Sequence, residues 1–146
     1  MILAHAIIGL TPVDSSQFSW FWFLGSVIPD VDHLFTAYKY KIFTWHKIVE
    51  SVRTEAKSSM NYKSKYFHSI FGAVLVSLPA FLINPRGGKF FFIAYLIHLL
   101  LDWPDIEEKY FLYPLKIKFK GRMTAFSRYE VGFTLFFIIL LLWFWK

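Results

Sequence analysis

Residues 25–33 read Gly-Ser-Val-Ile-Pro-Asp-Val-Asp-His, which sets Asp30, Asp32 and His33 directly behind a run dominated by Phe and Trp. Carboxylates are costly beside lipid or inside a core unless a partner neutralises them. His98 and Asp102 repeat the theme within a second apolar run. Their i, i+4 spacing puts both on one helix face, where they can grip one ion. Oxygen and nitrogen donors held at apolar boundaries point to a bound cation. The chain has no cysteine, so thiolate ligands and disulfides are excluded, and a metal would need His, Asp, Glu, backbone or water.

Each candidate ligand has a plainer reading beside it. Asp30 can cap a helix that starts after Pro29, with Asp32 in its first turn. That accounts for two acids but leaves His33 unexplained. His98 and Asp102 can hydrogen-bond each other, or Asp102 can pair with a lysine. His68 precedes Ser69 at the edge of an apolar stretch and suits a capping or interfacial histidine as well as a ligand. His5 shares a helix face with Gly9, where a small residue permits close helix approach. His46, between Trp45 and Lys47, reads as solvated, and Glu130 as a snorkelling terminal charge. There is no Gly-rich phosphate loop or nucleophile elbow, and neither Ser26 nor Ser69 carries a triad signal.

The elements that must position these residues are apolar. The chain has 146 residues, 56% hydrophobic and 22% aromatic, far from an ordinary soluble composition. Its apolar runs cover residues 1–10, 18–28, 68–83, 90–103 and 131–145. None reaches the ~20 residues that cross a bilayer comfortably. Five such segments nevertheless exceed what so small a chain can bury, so the expectation is a single membrane-embedded helical domain over residues 1–146. The N-terminus lacks the basic stretch of a secretory signal and reads as retained.

Charge orders these runs. The loop at 37–67 holds Lys39, Lys41, Lys47, Arg53, Lys57, Lys63 and Lys65, and the loop at 105–130 holds Lys109, Lys116, Lys118, Lys120, Arg122 and Arg128. The turn between them, Pro85-Arg86-Gly87-Gly88, reads as a tight helical-hairpin connection. The positive-inside rule then places both loops in the cytoplasm and the turn outside. On that map His5, Asp30–His33, His68, His98 and Asp102 all reach one depth near the cytoplasmic face. Within the first loop Ile48, Val49, Val52, Ala56 and Met60 recur at helical spacing, as in an amphipathic helix lying on the membrane or packed on the domain. The net charge of +6 suits an anionic membrane surface or a phosphate-bearing substrate, with no direct signal for nucleic acid.

The set His5-x-x-x-Gly9, Gly25-Ser26-x-x-Pro29-Asp30-x-Asp32-His33, His68-Ser69 and His98-x-x-x-Asp102, with Tyr113-Pro114 downstream, resembles the LexA-binding, inner-membrane-associated metal-dependent hydrolases. That family is similar to zinc-dependent phospholipase C in its all-helical arrangement of His and Asp ligands. The resemblance implies a metal-dependent phosphoester hydrolase with His5, Asp30 or Asp32, His68, His98 and Asp102 at matching positions, and a regulatory protein partner. One departure stands out: this chain has Lys63-Ser64-Lys65 where such proteins carry His-Arg before the His-Ser pair.

The resulting expectation is an all-α fold, with four or five apolar helices around a cytoplasm-facing polar site in a multi-pass inner-membrane protein. The metal ligands are drawn from His5, Asp30, Asp32, His33, His68, His98 and Asp102, and Asp32 is the expected general base. The cofactor is a divalent metal, Zn²⁺ first, with Mn²⁺ or another ion as alternatives. The substrate is a phosphoester, such as a membrane phospholipid, cleaved by metal-activated water. Lys63, Lys65 and Arg128 are candidate phosphate contacts or membrane anchors. The competing reading is a non-catalytic membrane protein with a structural His/Asp cluster, whose basic loops bind lipid headgroups or a protein partner.

Overall fold

The computed structural model describes residues 9, 16–44, 46–47, 50, 63–123 and 127–144. Helix α1 (Ser16–Val27) runs through a 3-10 turn (Ile28–Asp30) into α2 (Val31–Lys39). Helices α3 (Ile70–Ile83) and α4 (Pro85–Asp102) follow as a hairpin, then strands β1 (Glu108–Lys109) and β2 (Phe119–Lys120), and finally α5 (Arg128–Phe144).

The hairpin connection is shorter than the Pro85–Gly88 turn expected. Asn84 alone makes the corner, its side chain accepting from the backbone N–H groups of Arg86 (3.0 Å) and Gly87 (2.9 Å). Pro85 takes the first helical position, where its missing N–H costs nothing. Gly87 and Gly88 therefore lie inside α4, pressed against Phe21 and Phe81. Helix α1 packs on α4 as closely as backbones allow: at Gly25 any Cβ would collide with the Phe91 carbonyl. That contact draws the end of α1, and with it the 3-10 turn, onto the C-terminal half of α4. One buried cluster gathers Ala73, Phe91, Tyr95, Leu99 and Phe111, and a second gathers Trp22, Ala94 and Leu101, against which Phe133 and Phe137 of α5 pack.

Two features correct the expected fold class. The chain is not all-α: β1 and β2 pair antiparallel, Glu108 opposite Lys120 and Lys109 opposite Phe119, with a bridge between Asp105 and Met123. Strands of two residues carry no period-2 pattern, so a reading of sequence periodicity passes over them. Secondly, no helix among the described residues is long and apolar enough to cross a membrane. The fourteen residues of α3 extend about 21 Å at 1.5 Å each, short of a hydrocarbon core of about 30 Å. Helix α4 is longer, but opens on Arg86 and Lys89 and closes on His98 and Asp102. The expectation of four or five membrane-embedded helices does not hold for these elements.

The apolar run at residues 1–10, apart from Gly9, lies outside the described residues, and His5 with it. So do Ile48, Val49, Val52, Ala56 and Met60 of the expected amphipathic helix.

Candidate metal centre

Four segments meet where α1 ends, α2 begins, α3 begins and α4 ends. Asp30 occupies the N-cap position of α2, yet its side chain makes no capping hydrogen bond. Its Oδ1 instead stands 3.1 Å from His33 Nε2, 3.4 Å from His98 Nε2 and 3.8 Å from His68 Nε2. The plain capping reading of Asp30 is therefore not the arrangement adopted. Asp102 joins the group: its Oδ2 lies 3.3 Å from His68 Nε2 and 3.5 Å from His98 Nε2.

Both imidazoles are held from behind. His98 Nδ1 lies 2.7 Å from the Ser26 carbonyl oxygen, which can only accept, so Nδ1 carries the proton. His68 Nδ1 donates to Asp32 Oδ2 across 2.9 Å. Each bond turns Nε2, with its lone pair in the neutral ring, toward Asp30 and Asp102. The His68 Nε2 atom is fully buried and, among the described residues, satisfies hydrogen-bond geometry with no partner. A buried polar atom left so costs about 1–3 kcal/mol unless something else occupies its lone pair.

Local structure explains how His68 reaches this position. Ser64 and Phe67 form a tight turn, with Phe67 N donating to Ser64 Oγ (3.1 Å) and His68 N to the Ser64 carbonyl (3.1 Å). The Ser64 backbone N–H donates to Asp32 Oδ2 (2.6 Å), fixing the carboxylate that orients His68. Ser69 then caps α3, accepting from Gly72 N at 3.0 Å. Tyr95 braces the turn from α4, donating its hydroxyl to the Phe67 carbonyl at 2.7 Å.

Behind Asp102 lies a second, charged layer, which contains the lysine pairing open to Asp102 from the sequence and adds Asp105, Glu107 and Lys109, which the sequence did not single out. Lys63 is buried, with its Nζ 2.6 Å from Asp102 Oδ1, 2.5 Å from Asp105 Oδ2 and 4.0 Å from Glu107 Oε2. Burial opposes its charge, but Asp102, Asp105 and Glu107 outweigh burial and hold it protonated well above the ordinary lysine range. Burial works against the Asp105 carboxylate too, and the Lys63 ammonium overcomes it and lowers its pKa. Lys109, also buried, donates to the Asp105 carbonyl, and burial with Lys63 nearby pushes its pKa down to about 8. Lys63 is thus neither a surface anchor nor an accessible phosphate contact. The acids Asp102-x-x-Asp105-x-Glu107 were visible as a short acidic run past the end of an apolar helix. Their cation was not, because it lies 39 positions away from Asp102.

The whole group favours positive charge. Burial disfavours protonation of both histidines, yet Asp102 and Asp30 raise His98 to about 8, and with Asp32 they raise His68 well above its usual value. Of the sequence-predicted residues, Asp30, Asp32, His33, His68, His98 and Asp102 come together, while His5 lies outside the described residues. Donor atoms of Asp30, His68 and His98 all lie within 4.8 Å of one another, as do those of Asp32, His33 and His68. The donor set fits a divalent cation. Two donors bonded to zinc at about 2.1 Å in tetrahedral array stand about 3.4 Å apart, which is close to the spacings of 3.3, 3.4, 3.5 and 3.8 Å found here.

Fold and cluster together define a small helical protein with a buried His/Asp site and broad apolar outer surfaces. A family model for YdjM inner membrane proteins matches residues 1–146, and the chain belongs to that family. No curated protein and no solved structure matches it. The match supports an inner-membrane location. It also corrects the resemblance drawn from the motifs: the family is YdjM, with no sign of a relationship to LexA-binding hydrolases or to zinc-dependent phospholipase C. The physical reason lies in the motifs themselves. His-x-x-x-Asp puts two donors on one helix face, a geometry that unrelated helices can share, so motifs this short do not fix a family.

Proposed function

We propose that this protein binds a divalent metal ion, zinc or a similar ion such as manganese, through His68, His98, Asp30 and Asp102, and uses it to hydrolyse a phosphoester at the inner membrane. One observation carries the reading: two histidines with Nδ1 fixed from behind aim Nε2 at two carboxylates at metal-ligand spacing. A metal bound there supplies Lewis acidity toward a phosphoryl oxygen and lowers the pKa of water.

The chain's own groups divide the remaining work. Asp32 suits a positioning role better than that of general base, because its Oδ2 already accepts from His68 Nδ1 and Ser64 N. His33, about a third exposed and 3.1 Å from Asp30, stands at the mouth of the site and suits proton transfer to or from a bound substrate. A basic segment is tied to the layer behind Asp102, since Gly121 N donates to the Asp105 carbonyl and Arg122 N to that of Pro104. Lys116, Lys120 and Arg122 of that segment, with Lys118 paired to Glu108 at 2.8 Å, favour a phosphate-bearing lipid headgroup.

Exposed apolar residues, among them Trp20, Leu34, Leu78, Leu82, Ile83 and Trp143, supply the surface that meets lipid. The two basic loops argue for a cytoplasm-facing site. With no native cysteine, single cysteines at the exposed Arg86 and Lys116 positions report sidedness directly. In spheroplasts an impermeant reagent should leave the Lys116 position unlabelled, and inverted vesicles should expose it. Labelling of the Arg86 position in spheroplasts would put the α3–α4 corner on the outer side, and protection of both positions would keep both on the cytoplasmic side.

Metal analysis of the detergent-purified protein, followed by phosphodiester and phospholipid hydrolysis assays with and without chelator, tests the central reading. Bound metal with chelator-sensitive turnover supports it. Metal without hydrolysis under any supplement leaves a structural site, the competing reading that the internal Lys63–Asp102 pairing favours.

A further inference from the structure

We infer that the Lys63 ammonium is the built-in second cation of this site, so that the centre takes one divalent ion and not two. This inference rests on the metal reading above and concerns how many ions it involves.

Asp102 is divided between two duties. Its Oδ2 faces His68 Nε2 and His98 Nε2, while its Oδ1 receives Lys63 Nζ at 2.6 Å. In two-metal hydrolytic sites one acidic group commonly lies between a pair of cations about 3.5–4 Å apart. Here the outer side of such a carboxylate is filled by an ammonium, and Asp105 and Glu107 complete the oxygen set around it. Lys63 is almost wholly buried, so it does not swing out to solvent to admit a competing ion.

The placement of Lys63 is also linked to the ligands by its neighbour. Lys63 holds Asp102, and Ser64, next in the chain, holds Asp32 through its backbone N–H. One dipeptide thus secures two carboxylates, one facing His68 and His98 and one behind His68. Lys63 is a positioning residue that sets both the orientation of Asp102 and the cation count.

The test is metal stoichiometry and spin coupling in the full-length protein, purified in detergent and titrated with Mn²⁺. Wild type should bind one Mn²⁺ per chain and give the six-line paramagnetic resonance spectrum of an isolated ion. Lys63→Met removes the ammonium and leaves Asp105, Glu107 and the outer Asp102 oxygen to a second ion, so it should bind two and show an exchange-coupled spectrum. Lys63→Arg keeps the charge and should remain at one. Two coupled ions in wild type would overturn the inference, and this arm stands whether or not the variants fold. A folded Lys63→Met that still binds a single ion would overturn it as well. If wild type binds none while Lys63→Met binds one, the metal reading of the histidine pair fails but Lys63 stands as the resident cation. If neither binds any, both fail.

Discussion

His68 Nδ1 lies 2.9 Å from Asp32 Oδ2, and that single bond decides which nitrogen of the ring faces the site. Both residues are buried, and the carboxylate is itself held by the Ser64 backbone N–H. A carboxylate behind a histidine fixes its tautomer and raises its basicity as a ligand.

Asp32→Asn should therefore weaken metal binding without abolishing it. The amide oxygen still accepts from His68 Nδ1, but the negative charge is gone. Loss of such an outer partner costs about 10–100-fold in affinity, readable by competition with a chromogenic chelator. His68→Ala and His98→Ala should each remove metal altogether. If Asp32→Asn loses metal as completely as they do, Asp32 is itself a ligand.

Asp102→Ala should be the most destabilising single change in the site. It removes a carboxylate from a buried ammonium and from two buried imidazoles at once. Breaking a buried ion pair from one side costs about 3–5 kcal/mol. The expected result is a large fall in the unfolding midpoint in detergent. A midpoint close to that of wild type would show that Lys63 re-pairs fully with Asp105 and Glu107.

Metal should stabilise the fold. Binding to the native state alone adds RT ln(1 + [L]/Kd), about 2.7 kcal/mol at a hundredfold excess over Kd. Thermal melts with Zn²⁺ or Mn²⁺ should shift upward and return with chelator. The shift should vanish in His98→Ala.

Gly25→Ala should disturb the site from a distance. A methyl at this position strikes the Phe91 carbonyl and forces α1 away from α4. Overpacking of this kind costs about 1–3 kcal/mol. Because Ser26, the next residue, holds His98 through its carbonyl, metal affinity should fall together with stability. Loss of stability with unchanged affinity would show that the Ser26–His98 bond is not needed to orient the ring.

The sequence by itself determined where the helices run and which residues could act together. The apolar runs at 18–28, 68–83, 90–103 and 131–145 correspond, within a few residues, to α1, α3, α4 and α5. Asp30–His33, His68, His98 and Asp102 stand at the ends of such runs, and residues at adjacent ends of packed helices share a level, whether the helices run antiparallel, as α3 and α4 do, or parallel, as α1 and α4 do. Residue order also contains the i, i+4 face of His98 and Asp102. Spanning the membrane did not follow from hydropathy, because apolar composition does not supply helix length. The short strands were hidden, since two residues have no period. Only the tertiary structure decided which oxygen and which nitrogen face each other: Asp30 turned from a cap to the histidines, Asp32 went behind His68, and Lys63 left the apparent surface loop for the acids at 102, 105 and 107. The reason is that charge pairing inside a fold is settled by distance in space and by the cost of burying an unpaired ion, neither of which is written in the spacing of residues along a chain.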